Sequence, residues 1–464
     1  MCYNNVKVCR GDYLMINSKE ILTGVIETDN RMYSFHLNNY SMIFLDAVVH
    51  SDLTSTIKPN DSFAQAYTHD GHKMLIYIGK HDFPIVNTMK MGLSSYIVST
   101  SNILDYDLSY YDGIEFVGGT LTNLKRPRAL HTKYDENNKR TYIEKNDDIQ
   151  TFSFSTNEFV CDVKIGSHTN EHHSLMGNSI RNDRVYFRMM FSKKQTTSSI
   201  YMHYNKICEL LSFLTNRKCV GFEEMYLLQK DIIKGPYKET GKIANVYIEQ
   251  KVKYSQKQPY HNLEFELLGD AVGSLLTILY SPKERKKSYS LSFYPESDDS
   301  STIIDNQIVR AVCSALECEL GFVEGITNDE ANKIKALRQQ LKLIIDEHKT
   351  SKDKLKEKTY SLIESSMSHW SMAASDQIIE LYHRYDAIMK LIADKALMVI
   401  EDEDIDRFVK YRNDITHGSY RVLDHKIAFT THILACLVYC CVLTRIGVEK
   451  DSIYQWFHDG RLLR

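Results

Sequence analysis

At 464 residues the chain is too long for one small core and has room for two or three domains. Its 43% hydrophobic and 25% charged residues are ordinary for a soluble globular protein, and a net charge of -3 excludes a whole-chain polycation. Any nucleic-acid contact must therefore come from local basic patches.

Residues 1–12 lack the apolar core of a signal peptide. All seven prolines and fifteen of the twenty glycines precede residue 300, which predicts strands and turns first and helices afterwards. Ile21–Ile26, Lys73–Ile78 and Thr151–Phe154 are short, β-branched or aromatic runs bounded by turn formers, and read as strands. Gly118-Gly119 lacks the lysine and helix of a phosphate loop and reads as a tight turn. Lys125-Arg126-Pro127-Arg128 is a compact basic patch that can supply phosphate contacts, with Tyr134 nearby to stack on a base. Lys283–Lys287 is a similar patch.

His168-Thr169-Asn170-Glu171-His172-His173 has metal-ligand residue types, but its polar context reads as a solvated turn, and no metal or cofactor is expected. A helix is predicted at about Ser199–Leu214, with Ile207, Leu210, Leu211 and Leu214 on one stripe, followed by a strand at Val220–Leu228. Pro295–Ser301 reads as a linker or exposed loop.

Beyond Asp305 the period becomes helical. Ile334, Leu337, Leu341, Ile344 and Ile345 trace one face; Gln377–Leu391 and residues 426–446 give two further helices. The mixed charge run Lys349–Lys358 reads as a solvated helical face. The longest apolar run, Ile433–Leu443, is too short to span a bilayer, which takes about 20 residues, and predicts a buried core helix with no membrane role. Ten cysteines without a C-x-x-C pair predict a reduced, cytoplasmic protein. The expected architecture is α+β and multidomain: a β-rich region over 1–300, sandwich- or barrel-like with one inserted helix and room for a division near 115–150, then an all-α bundle over 301–464.

Between two helical stretches lies Phe408-Val409-Lys410-Tyr411-Arg412-Asn413-Asp414-Ile415-Thr416-His417-Gly418. It resembles the signature of the HEPN superfamily of ribonucleases, in which Arg and a polar residue precede His by four to six intervening positions. The chemistry accounts for these residue types. RNA carries its own nucleophile, the 2′-hydroxyl, so a metal-independent nuclease needs a group that exchanges protons near neutral pH, which histidine does. It also needs a fixed cation on the phosphate, for which the planar fork of arginine is suited. Arg412, Asn413 and His417 are therefore the expected catalytic residues, with Lys125, Arg126, Arg128 and Lys410 as RNA contacts. The products would be a 2′,3′-cyclic phosphate and a 5′-hydroxyl.

Five residues turn a helix through about 500°, leaving Arg412 and His417 roughly 140° apart. Either the helix breaks between them or a second copy of the motif completes the site. The resemblance implies the second, as a homodimer or higher even oligomer formed through the HEPN domain.

Tyr110-Tyr111-Asp112-Gly113-Ile114-Glu115-Phe116-Val117-Gly118-Gly119-Thr120-Leu121-Thr122-Asn123, followed by a β-rich stretch and a terminal HEPN module, is similar to the ApeA family of bacterial anti-phage proteins. That resemblance implies an RNase quiet in healthy cells and triggered by infection in abortive defence, with transfer RNA as a candidate target. The alternative is a catalytically silent dimeric binding protein whose β-rich region recognises a ligand.

Overall fold

The computed structural model describes residues 21–27, 32–45, 63–77, 90–125, 130–135, 139–145, 149–174, 177–234, 237–249, 254–255, 257–281, 293–300, 303–323, 329–368, 374–419 and 421–462. The chain divides into two compact units, Met1–Ser281 with Glu296–Asp298, and Pro282–Pro295 with Asp299–Arg464.

The first unit opens with β1 (Leu22–Glu27), β2 (Met32–Asn38), β3 (Ser41–Phe44), β4 (Phe63–Thr68), β5 (Lys73–Tyr77), β6 (Lys90–Gly92) and β7 (Ser95–Ser99). It continues with β8 (Tyr110–Val117), the short helix α1 (Leu121–Leu124), β9 (Leu130–Asp135), β10 (Arg140–Lys145), β11 (Gln150–Ser155), β12 (Val160–Ser174) and β13 (Gly177–Thr196). Helix α2 (Ile200–Thr215), β14 (Glu224–Lys234), β15 (Tyr237–Ile248), α3 (Phe265–Leu268) and α4 (Ala271–Tyr280) complete it. Among the described residues thirteen strands join in one antiparallel sheet, in the order β11-β12-β13-β8-β14-β15-β7-β5-β4-β1-β2-β3-β6, while β9 and β10 pair separately.

The three strands expected near residues 21, 73 and 151 are β1, β5 and β11. Alternation sets their faces: in β2, Tyr33, Phe35 and Leu37 are buried, and they join Ile26, Met42, Met74 and Ile76 in one core. Gly118 and Gly119 both take positive φ, +71° and +63°, in the turn that ends β8.

Several sequence expectations are corrected. More than one helix punctuates this unit: α4 packs on β11, and Gly273 permits the approach, since a Cβ there would meet the Ser153 carbonyl at 2.9 Å. The strand expected from Val220 begins at Glu224. His168–His173 is not a turn but part of β12, held in register by β13. Lys349–Lys358 is not a helical face, because one helix ends at Lys349 and the next begins at Glu357.

His168 meets a carboxylate instead of a metal. Its Nε2 lies 3.0 Å from Oε1 of Glu115, a fully buried residue on β8 that also pairs with Arg188 at 2.6 Å and Lys242 at 2.9 Å. Burial alone would raise the Glu115 pKa, but His168, Lys242 and Arg188 outweigh it and hold the group down at about 2.

The second unit is helical. It contains α5 (Asn306–Leu320), α6 (Asp329–Lys349), α7 (Glu357–Ser368), α8 (Ala374–Arg384), α9 (Asp386–Lys395), α10 (Asp402–Thr416), α11 (His425–Arg445) and α12 (Lys450–His458). The single helix expected over Gln377–Leu391 is split at Tyr385. Helix α11 is its core, with every residue from Ile433 to Leu443 buried. Among the described residues α11 is the one helix long and apolar enough to cross a membrane, but 78% of its apolar window is buried in the unit.

Candidate active site in the helical unit

Helix α10 carries the motif. Glu401 and Asp404 form a capping box at its start, and Asp402, Glu403 and Asp404 place negative charge at the positive end of the helix dipole. Ile405, Phe408, Val409, Tyr411 and Ile415 are its buried residues, so the motif side chains between and after them are left toward the surface.

Helix α5 fixes the other end. Asp305 caps it, accepting hydrogen bonds from the amides of Gln307 at 2.8 Å and Ile308 at 2.9 Å. Val309, Val312, Cys313 and Leu316 bury one stripe, and Arg310 and Glu317 flank it. The Tyr411 hydroxyl reaches Asn306 Oδ1 at 2.7 Å, tying α10 to the start of α5. Arg310 donates to the carbonyl of Ile415, one of the last-turn oxygens that has no partner within the helix.

The helix stays intact to Thr416. The His417 amide still donates to the Asn413 carbonyl at 3.0 Å, so no break separates Arg412 from His417. The chain leaves the helix at Gly418, whose φ of +84° would strain any residue with a Cβ. The next amide, Ser419, returns to the Asp414 carbonyl at 2.9 Å.

This intact turn decides which side chains share a face. Asn413 and His417 lie about 40° apart around the axis, and Lys410 and His417 about 20°. All three are exposed. Arg412 points elsewhere and is only 22% exposed, but its Nη1 donates to Asn413 Oδ1 at 2.9 Å. Its Nη2 donates to Oε1 of Glu317. The guanidinium is thus drawn toward the histidine face by the asparagine and anchored to α5 by the glutamate. Cys313 sits behind this pair, with Sγ 3.9 Å from Glu317 Oε1; burial chiefly pushes its thiol pKa up to about 11.

The expected RNA contacts fare differently. Lys125 is 1% exposed and its ammonium lies 2.6 Å from Glu266, so it is turned away from solvent. Arg126, Arg128 and the patch Lys283–Lys287 lie outside the described residues. Among the described residues no group of three His, Cys, Asp or Glu could hold a metal ion. Sequence reasoning missed Glu317 and Arg310, which reach the motif only through tertiary packing across 95 and 105 positions.

Residues 294–452 match the profile of the Apea-like HEPN family. This stretch, which includes α10 and its whole motif, is a HEPN domain of the ApeA type, a domain class that generally indicates ribonuclease activity. No curated protein and no solved structure matches the chain.

Proposed function

We propose that the protein is a metal-independent endoribonuclease of anti-phage defence, cleaving RNA at the surface formed by Asn413, His417, Lys410 and the tethered Arg412. The 2′-oxygen attacks phosphorus, the P–O5′ bond breaks, and a 2′,3′-cyclic phosphate and a 5′-hydroxyl result. Two proton transfers are needed, one from the 2′-hydroxyl and one to the leaving 5′-oxygen. One helix offers one histidine, so two copies of the motif, from two chains, divide the work. Arg412 holds the phosphate oxygens as charge develops, Asn413 orients it, and Lys410 contacts the backbone. Residues 1–300 act as sensor or restraint, and transfer RNA is the candidate substrate.

The observation that supports this most is the shared exposed face of Asn413 and His417, with Arg412 drawn to it by a 2.9 Å hydrogen bond. Purified protein should cleave RNA in the presence of chelator, and Arg412→Ala or His417→Ala should abolish cleavage with the fold unchanged. Sequencing RNA ends from cells expressing wild type and His417→Ala would identify the substrate and the end chemistry. Cleavage that survives both substitutions sinks the proposal.

A further inference from the structure

Helices α6 and α7 form a hairpin. Lys349 Nζ lies 2.7 Å from Glu364 and 3.4 Å from Asp346, and the His348 ring nitrogen lies 2.6 Å from the Tyr360 hydroxyl. The long arm is unusual: among its described side chains, from Asn332 to Lys349, none is buried, although Ile334, Leu337, Leu341, Ile344 and Ile345 repeat at helical spacing.

The apolar arc is wider than the short arm covers. Ile334, Leu341 and Ile345 are half-buried, whereas Leu337 is 48% exposed and Ile344 is 58% exposed. Those two are seven residues apart and so within about 20° on one face. Lys349, about 120° round from Leu337, carries the ion pair to Glu364 of the short arm. Ile363, the neighbour of Glu364 on the short arm, is 36% exposed.

The charges beside this row have a definite order. Lys333, Gln340 and Glu347 stand seven apart, all exposed, and run along one margin of the row about 40–80° from Leu337. Reversed about Gln340, the series maps onto itself with opposite charge: Lys333 meets Glu347, Gln340 meets Gln340, and Glu347 meets Lys333. The same reversal maps Leu337 onto position 343, one residue short of Ile344, so Leu337 and Ile344 of two antiparallel copies lie nearly opposite each other. A helix with this pattern is complementary to an antiparallel copy of itself, with apolar side chains at the seam and opposite charges at the edge.

We propose that the α6 arm is a self-association surface, on which a second copy of this chain docks antiparallel about a two-fold axis near Gln340. This deepens the homodimer reading above and rests on it, naming the surface that joins the chains. A two-fold contact is self-complementary by construction, and the Lys333–Gln340–Glu347 order meets that condition.

The test is sedimentation of the full-length chain at micromolar concentrations, with circular dichroism to establish that each variant is folded. Wild type should sediment as a dimer and Leu337→Glu/Ile344→Glu as a monomer. Lys333→Glu should weaken the dimer about tenfold, because it sets two like-charge pairs across the axis. The double reversal Lys333→Glu/Glu347→Lys should restore it, an outcome that loss of folding cannot mimic. A monomeric wild type, leaving the arm for some other protein, overturns the proposal. So does a dimer that survives Leu337→Glu/Ile344→Glu, although a two-chain nuclease would then still stand. A monomeric double variant that cleaves RNA at the wild-type rate supports the docking surface and removes the two-chain active site instead.

Discussion

The guanidinium of Arg412 donates to the carboxylate of Glu317, a residue 95 positions earlier on a different helix. At 22% and 42% exposure the pair adds little stability, about 1 kcal/mol or less. Its consequence is geometric: with Asn413 it fixes both arms of the fork. It also keeps a negative charge beside the place where a phosphate would bind.

Replacing Glu317 by Gln should therefore separate binding from chemistry. With the negative charge removed, RNA binds more tightly and KM falls several-fold. With the stronger anchor lost, Arg412 is held less firmly and kcat falls, by about 10- to 100-fold. Steady-state cleavage of an oligonucleotide reads both constants. Equal kcat in wild type and Glu317→Gln would remove Glu317 from the positioning of Arg412.

Gly418 makes a second prediction about the same turn. Its φ of +84° lies in the left-handed region, yet a Cβ would meet nothing within 4 Å, so strain is separable from collision. Gly418→Ala should cost about 1–2 kcal/mol and Gly418→Asn less, because asparagine tolerates that region. If the turn sets the direction of His417, cleavage should fall in the same order. Urea denaturation and cleavage assays on the two variants check this, and an alanine variant as stable as wild type would refute it.

How far the sequence disclosed these features follows from the range of the interactions involved. Local signals worked: β-branched runs marked β1, β5 and β11, and the uninterrupted apolar stretch at Ile433 marked the core helix. The motif was legible because Arg412, Asn413 and His417 fall within one turn and a half. Periodicity misled where it crossed a break, since the stripe over Gln377–Leu391 continues through the end of α8 at Arg384. It also misled at Lys349–Lys358, where the Tyr360 hydroxyl accepts the Leu355 amide at 2.9 Å and steadies a turn that the charge pattern does not reveal. Glu317 was invisible for a plainer reason. An acidic residue on an amphipathic helix looks like ordinary surface until the fold brings an arginine to it.

Glu319, two residues beyond Glu317, faces the core instead and predicts a pH dependence. It is 3% exposed and accepts from Arg445 at 2.8 Å, and Arg445 in turn packs on the ring of Phe322 at 4.1 Å. Burial pushes the carboxyl up from 4.5 to about 7, against the pull of Arg445. In the unfolded chain the group loses its proton near 4.5, whereas in the folded protein it keeps it to about 7. Between those values folding therefore takes up a proton, and stability falls as pH rises through the window, by on the order of 2–3 kcal/mol, before levelling above it. Glu319→Gln cannot titrate and should lose this slope, while the cost of leaving Arg445 without its carboxylate shifts stability equally at every pH. Urea midpoints for both proteins at pH 5 and pH 8 isolate the effect as a difference of differences. Parallel pH profiles would show that Glu319 is ionised throughout and that its pairing with Arg445 outweighs burial.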